Sequence, residues 1–229
     1  MMMKHFFGWA LCLLFVATMA QADFTISKPG KLLMKENFDG ADLPELFTVG
    51  VGDWAIVDHS IRGRQQAADK HTAFRKIYLD HQDVIYQFDM KIEGDAFSQI
   101  LINYDLSHIA KCVTRVDSIS VFKIFEGKKR AQMAKEGHDP GKDPMKGKWD
   151  EKTFAMDANS VDLKKGKWYR VTIEMIGDQL AMEVDGVRVI GQHIGITEKK
   201  TNYGFQAGGF DGYVYYDNIR VWEALPLKR

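Results

Sequence analysis

Asn103, His108, Lys111 and Arg115 are the side chains of this sequence whose types and spacing best fit a chemical task. An amide, an imidazole and two cations offer the donors and acceptors that a hydroxyl-rich ligand needs, and histidine is the side chain that exchanges a proton near neutral pH unaided. His108 is therefore the candidate general acid or base, Lys111 or Arg115 the candidate charge stabiliser, and Asn103 a ligand-binding group. A solvated sheet face with a histidine at its turn has the same composition, so both readings stand at this level. Flat stacking surfaces for a ring would come from Trp149, Phe210, Tyr213 or Tyr216. Phe210 lies in Gly208-Gly209-Phe210-Asp211-Gly212, a stretch that either presents the ring at a loop tip or folds it over the core. His-Glu-x-x-His, Cys-x-x-Cys, Walker and nucleophile-elbow patterns do not occur.

The elements that must position these groups are strands. Val84, Tyr86, Phe88, Met90 and Ile92 recur at every second position and share one face, as do Tyr169, Val171, Ile173 and Met175, then Leu180, Met182 and Val184. Asp185-Gly186 between Val184 and Val187 is a hairpin turn of the primed type, whose positive φ these residues tolerate. Shorter strands are expected at 32–38, 54–57, 60–63, 74–79, 99–104, 109–115, 118–125, 202–207 and 213–222. Ile100, Ile102 and Tyr104 share the core parity, which sends Gln99 and Asn103 to the opposite face, and Lys111, Val113 and Arg115 share one face of the next strand. Asp217 shares parity with Tyr215, Ile219 and Val221, which directs its carboxylate inward, where it needs a partner. Many short strands with glycine-rich turns and almost no helical period imply an all-β protein: a two-sheet antiparallel jelly-roll sandwich.

The chain opens with Lys4 and His5, an apolar run from Phe6 to Met19, and Ala20-Gln21-Ala22, the layout of a signal peptide over 1–22 cleaved after Ala22. A secreted or periplasmic protein of one β-sandwich domain, 23–229, is expected, with no membrane span in the mature chain, because no later segment approaches the ~20 apolar residues required. Lys+Arg and Asp+Glu both number 31, so the balance gives no reason to expect a nucleic-acid partner. Beyond the leader the only cysteine is Cys112, in an apolar context that suits a buried structural thiol. A charged stretch at about 127–159, with Gly137-His138-Asp139-Pro140-Gly141, reads as a surface insertion.

Gly166-Lys167-Trp168-Tyr169-Arg170-Val171-Thr172-Ile173-Glu174, then Met182-Glu183-Val184-Asp185-Gly186-Val187-Arg188-Val189, resembles the paired strands of laminin-G-like and concanavalin A-like domains. Tyr215-Tyr216-Asp217-Asn218-Ile219-Arg220-Val221-Trp222 resembles their closing strand, and Glu36-Asn37-Phe38-Asp39-Gly40 their opening. Ser107-His108-Ile109-Ala110-Lys111-Cys112-Val113-Thr114-Arg115 is similar to a strand of the bacterial 3-keto-disaccharide hydrolase or glycoside-hydrolase-like domains. The resemblance implies a concanavalin A-like fold and a secreted protein that binds or hydrolyses carbohydrate on one sheet face. A non-catalytic structural or protein-adhesion module is the alternative. It also implies a structural calcium site in which Asp217 and Glu36 take part, since hard oxygen ligands suit that ion; hydrogen bonding alone would equally satisfy Asp217. The paired carboxylates of laminarinase-type relatives, ~5 Å apart for a retaining mechanism, have no counterpart. Glu174, Asp178, Glu183 and Asp185 flank a turn and read as a solvated edge.

Overall fold

The computed structural model describes residues 24–47, 50–104, 107–124 and 153–227. The expected leader, Trp149 and most of the expected insertion lie outside the described residues. Among the described residues, fourteen strands form two antiparallel sheets. The larger contains β1 (Ser27–Glu36), β2 (Asp53–Val57), β3 (Ser60–Arg64), β5 (Val84–Gly94), β10 (Trp168–Ile176), β11 (Gln179–Val184), β12 (Val187–Gln192) and β14 (Gly212–Pro226). Its order is β12-β11-β10-β5-β14-β3-β2, with β1 continuing beside β3 along β14. The smaller runs β4 (Ala73–His81), β13 (Lys200–Gly208), β6 (Phe97–Tyr104), β7 (Ser107–Thr114), β8 (Ser118–Ile124) and β9 (Thr153–Ser160). This is a jelly-roll sandwich, and among the described residues no helix is long and apolar enough to cross a membrane.

The core is the layer where the two inner faces meet. From the larger sheet come Tyr86, Phe88, Tyr216 and Val221, and from the smaller Ile100, Ile102, Cys112, Tyr203 and Phe205, all buried. Their rings interlock edge to face or tilted: Tyr86 on Tyr203 at 4.5 Å, Phe205 on Tyr216 at 4.7 Å and Phe88 on Phe205 at 5.4 Å. Tyr216, a candidate exposed platform by sequence, is thus a core residue; its hydroxyl donates to Gln206 O at 2.6 Å and pairs with Ser98 Oγ at 2.8 Å. Burial pushes the Cys112 thiol well above its ordinary range, as suits an inert structural group. Asp185 and Gly186 take φ of 52° and 77°, the primed turn that joins β11 to β12.

Three placements differ from the sequence expectations. Residues 153–160, the end of the supposed insertion, form β9 at the edge of the smaller sheet, paired with β8. Asp217 faces outward: Asp217 pairs with Asp89 and Arg220 with Gln87, so one extra residue bulges at Asn218, whose φ is 51°. The bulge moves the inward parity from Val214 and Tyr216 to Ile219 and Val221, leaving Asp217 on the outer side with Tyr215. Glu174, finally, is buried rather than solvated. The segment before β1 crosses the outer face of the larger sheet, and the Glu174 carboxylate accepts from the amides of Thr25 at 2.6 Å, Ile26 at 3.1 Å and Ser27 at 2.8 Å, and from Ser27 Oγ at 2.7 Å. Three consecutive amides solvate one carboxylate and fasten the amino-terminal segment to β10.

At the end of β4, buried His81 lies between Leu79 O, 2.6 Å from Nδ1, and Tyr86 Oη, 2.5 Å from Nε2. Nδ1–H donates to the carbonyl, so Nε2 accepts from the tyrosine. Burial foremost, helped by Lys200, lowers its pKa to about 4 against opposing pulls from the Leu79 carbonyl and Asp80.

Two predictions follow from these buried groups. Glu174→Ala leaves the amides of residues 25–27 without their acceptor and should lower unfolding stability by roughly 1–3 kcal/mol in urea melts. The same amides should lose hydrogen-exchange protection; full retention of both midpoint and protection would show that the carboxylate holds nothing. The unfolded chain protonates His81 near 6.5 and the folded chain only near 4, so stability is complete above pH 6.5 and declines as pH falls from 6.5 through 4. The decline should reach on the order of 3 kcal/mol, and His81→Gln should flatten it; identical pH profiles for the two proteins would remove His81 as the cause.

Candidate functional site

Because Tyr203 and Phe205 point into the core, Asn202, Gly204 and Gln206 on β13 must face out. Register carries the same face to both neighbours. Gln206 stands beside Phe74 and Gln99, Gly204 beside Lys76 and Leu101, and Asn202 beside Tyr78 and Asn103. Around Gly204 lies a pocket of about 140 Å³ lined by His71, Phe74, Lys76, Leu101, Asn103, His108, Gly204 and Gln206. Gly204 is its open floor: a Cβ there would meet only Arg75 O at 3.5 Å and Leu101 Cβ at 3.9 Å, while a longer side chain would fill the space. His71 meets the Phe74 ring edge-on at 5.3 Å, and Tyr78, 59% exposed, continues the aromatic edge along β4.

The polar side of the pocket is a hydrogen-bonded chain. Asn103, 3% exposed, donates through Nδ2 to Asn202 Oδ1 at 2.7 Å, which leaves its Oδ1 as the acceptor for His108 Nδ1 at 2.5 Å. That arrangement sets the imidazole tautomer: Nδ1 carries the proton and Nε2 the lone pair. His108 reaches this face through a bulge. Asn103 pairs with His108 but Ile102 with Ala110, so the strand carries one extra residue at Ile109; were the same residues in strict alternation, His108 would share the inward parity of Ala110 and Cys112. Inward-facing Lys123 on β8, 3% exposed, donates to the carbonyl of Ile109 at 2.8 Å and to that of Ile124 at 3.1 Å. Its ammonium therefore grips the bulged residue from the core side.

Of the residues expected from sequence, Asn103 and His108 meet in this pocket. Lys111 shares the face further along β7, beside Leu101, where its Nζ lies 4.8 Å from the Phe122 ring and burial lowers its pKa. Arg115 stacks on Phe97 at 4.3 Å. Phe97 and Asn103 stand at opposite ends of β6, ~20 Å apart at strand rise, so Arg115 is remote from His108. Phe210 also lies elsewhere, 52% exposed in the loop between β13 and β14. Glu36 Oε1 accepts from the amides of Asn37 at 2.9 Å and Phe38 at 2.6 Å. Asp217 accepts from the Asn218 amide at 2.6 Å and its side-chain nitrogen at 3.1 Å. Burial and then neighbouring Asp89 and Asp39 push the Asp217 pKa up, against the pull of the Asn218 amide and Arg220. Among the described residues no group of three or more histidine, cysteine, aspartate or glutamate side chains is arranged to hold a metal ion. Phe74, Lys76, Asn202, Gly204 and Gln206 were not singled out by sequence; the available signal was the polar or small residue at every second position of β13.

A sequence model described as the 3-keto-alpha-glucoside-1,2-lyase-like domain matches residues 34–222, and the chain belongs to that family. Among solved structures, the carbohydrate-binding module CBM66 from Bacillus subtilis superposes with a TM-score of 0.52 at 15% identity, covering 76% of this chain and 94% of that one. The Bacillus licheniformis beta-glucanase gives 0.56 at 8% identity, covering 86% and 100%. An endo-β-galactosidase from Clostridium perfringens that releases GlcNAcα1-4Gal gives 0.57 at 10%, covering 90% and 66%. At such identities these likenesses establish the concanavalin A-like jelly roll. No match is found among curated protein sequences.

The grip on the bulge can be tested through the imidazole itself. Lys123→Met keeps the buried stem and removes the donor to Ile109 O. Stability should change by no more than about 1 kcal/mol, because relief of a buried cation offsets the lost hydrogen bonds. The His108 Nδ1 proton, shielded by Asn103, should give a slowly exchanging downfield NMR signal that broadens in Lys123→Met. A signal unaltered by the substitution would mean that the bulge stands without the lysine.

Proposed function

We propose, taking membership of that family as premise, that the outer face of the smaller sheet binds one sugar ring over Gly204 and that His108 acts there as a general base on an oxidised glucoside. The observation that carries this reading is the chain Asn202, Asn103, His108, which fixes the imidazole at the pocket with its lone pair on Nε2. A pocket of about 140 Å³ suits a single ring, being smaller than the roughly 300–1,000 Å³ of sites for larger ligands.

The family description names a glucoside with a ketone at C3 and a cleavage across C1 and C2. Such a ketone acidifies the hydrogen on C2, because the electron pair left behind is delocalised as an enolate. His108 Nε2 takes that proton; the pair then forms the C1–C2 double bond as the C1–O bond breaks, and the departing oxygen leaves with its electrons and gains a proton. Nothing is oxidised or reduced overall. Lys76 supplies a cation on the pocket wall for the developing enolate charge, Phe74 offers an apolar surface to the ring, and Gln206 a hydrogen-bonding partner to its hydroxyls. The step needs the imidazole in its neutral form. We infer export as well. It is supported by the leader-like start of the sequence, and the first residues docked by Glu174 follow shortly after the expected cleavage site.

A nitrophenyl 3-keto-α-glucoside reports the elimination by release of nitrophenolate. The protein should turn it over, His108→Ala should lower kcat by about 10²–10⁴ with a much smaller change in affinity, and Gly204→Val should abolish both binding and turnover without lowering the melting temperature. Saturable binding with no turnover would make this face a non-catalytic sugar site. Neither binding nor turnover of keto-glucosides or their parent disaccharides would sink the reading in favour of a structural or adhesion role.

A further inference from the structure

A second hollow, of about 460 Å³, lies at the corner where the loop between β13 and β14 meets the end of β3, and Asp53, Arg64, Gln65, Gln66, Phe210 and Asp211 line it. We infer that this corner is a second saccharide site, for a neutral sugar, independent of whatever chemistry the sheet pocket performs.

The hollow is preformed. Gly209 has φ of 91°, and a Cβ on it would lie 2.4 Å from Asp95 O; a Cβ on Gly212 would lie 2.1 Å from Glu93 O. The loop is thus locked onto the turn between β5 and β6 at positions that admit only glycine, and the Asp95 amide donates to Asp211 O at 3.1 Å. Its two walls are tied together, since the Gly209 amide donates to Gln65 Oε1 at 3.0 Å. The short 3₁₀ turn Ala67–Asp69 is tied in turn to the chain before β2 by the Gly52 amide, which donates to Asp69 Oδ2 at 2.8 Å. Arg64 is held by Tyr213: its Nη1 donates to the phenol oxygen at 3.1 Å, and its guanidinium stands 5.3 Å from the ring centre. A rigid site loses little conformational freedom when it binds.

What the walls carry selects the ligand. Phe210 is 52% exposed and takes no part in the core, so its ring is an apolar platform held in water by a locked loop. Around it stand two amides, two carboxylates and one guanidinium, a set that both donates to and accepts from neighbouring hydroxyls. Asp53 is paired with Arg62 at 3.6 Å, so with Arg64 the cations balance the two carboxylates, and the corner has no net charge to draw a phosphorylated or acidic sugar. A ring with an apolar face and an equatorial rim of hydroxyls, a neutral saccharide, matches all of these features. Phe210 follows Gly208, which pairs with Phe97, at the end of β6 remote from Asn103. The corner is therefore about a strand's length from His108, ~20 Å. A glycan long enough to reach both would be held at one and presented to the other, with the gain that linkage brings.

The test is an NMR titration of the ¹⁵N-labelled full chain with maltotriose, cellotriose and laminaritriose, followed separately at each site. With at least one of them the amides of Gly209, Asp211, Gln65 and Gln66 should shift saturably. Phe210→Ser should weaken that response at least tenfold while the melting temperature stays within about 1 °C, as expected for an exposed side chain. Shifts at Gly204 and Asn103 report the sheet pocket, so failure of the proposed function appears there and not at the corner. Absence of saturable shifts at the corner with all three sugars, or an unchanged response in Phe210→Ser, overturns the inference. A tighter response to inorganic phosphate than to any of the sugars overturns the neutral class.

Discussion

Side chains of a strand change face at every residue, so the aromatic layer that joins the two sheets dictates what the outer faces carry. Tyr203 and Phe205 are fixed inward by contact with Tyr86, Phe88 and Tyr216, and Asn202, Gly204 and Gln206 are thereby fixed outward. A one-residue slip of β13 would bury two amides and expose two rings, which is why the register is held. The pocket over Gly204 is the reverse side of that core. Its position in the molecule depends on hydrophobic contact far more than on any interaction among the polar residues that line it.

The fold adds to this layer several buried charges that backbone groups help to hold. Glu174 is solvated by three amides, Lys123 by the carbonyls of Ile109 and Ile124, and Lys200 by those of Gln82 and Ile196. Burial foremost lowers the Lys200 pKa to about 8, against the pull of Asp83 and Glu198, so the ammonium is still largely charged at neutral pH. Desolvating an ion costs several kcal/mol unless fixed dipoles replace its water. Each of these ions therefore imposes geometry on the segments that supply the dipoles: the amino-terminal crossing for Glu174, the bulge of β7 for Lys123, and the turns at Gln82 and Ile196 for Lys200. In that sense Lys123 is as much a part of the His108 site as Asn103, although it lies on the other side of the sheet.

The alternating strands, the Asp185-Gly186 hairpin and the burial of Cys112 were legible in the sequence because period two and positive φ are local properties. The outward placement of Asn103 was legible for the same reason. Asp217 was misplaced because parity counted across Asn218 assumes an unbroken strand, and an extra residue leaves no local mark beyond an asparagine that tolerates the left-handed region. Strand β9 was hidden at the end of a charged stretch, its weak alternation in Phe154-Ala155-Met156-Asp157 offering little against the preceding glycines and prolines. The burial of Glu174 depends on a segment almost 150 residues away in the chain. The pocket likewise draws on β4, β6, β7 and β13, and no spacing along the sequence records which residues register brings side by side.

The bulge at Ile109 separates what the fold determines from what the site adds. With strict alternation from Lys111 backwards, His108 would enter the core at the level of Ala110, where a polar ring needs a buried partner and offers nothing to a ligand. One extra residue reverses this locally, turning the imidazole onto the outer face beside Asn103 while Cys112 and Thr114 keep their inward places. The sandwich, and hence the likeness to sugar-binding modules and glycosidases at identities of 8–15%, is compatible with either parity. The chemistry proposed for this face therefore depends on a local defect, and on the lysine that holds it, more than on the architecture. A relative with the same residues but strict alternation through β7 would keep the jelly roll and the floor of the pocket, yet have no imidazole at its rim.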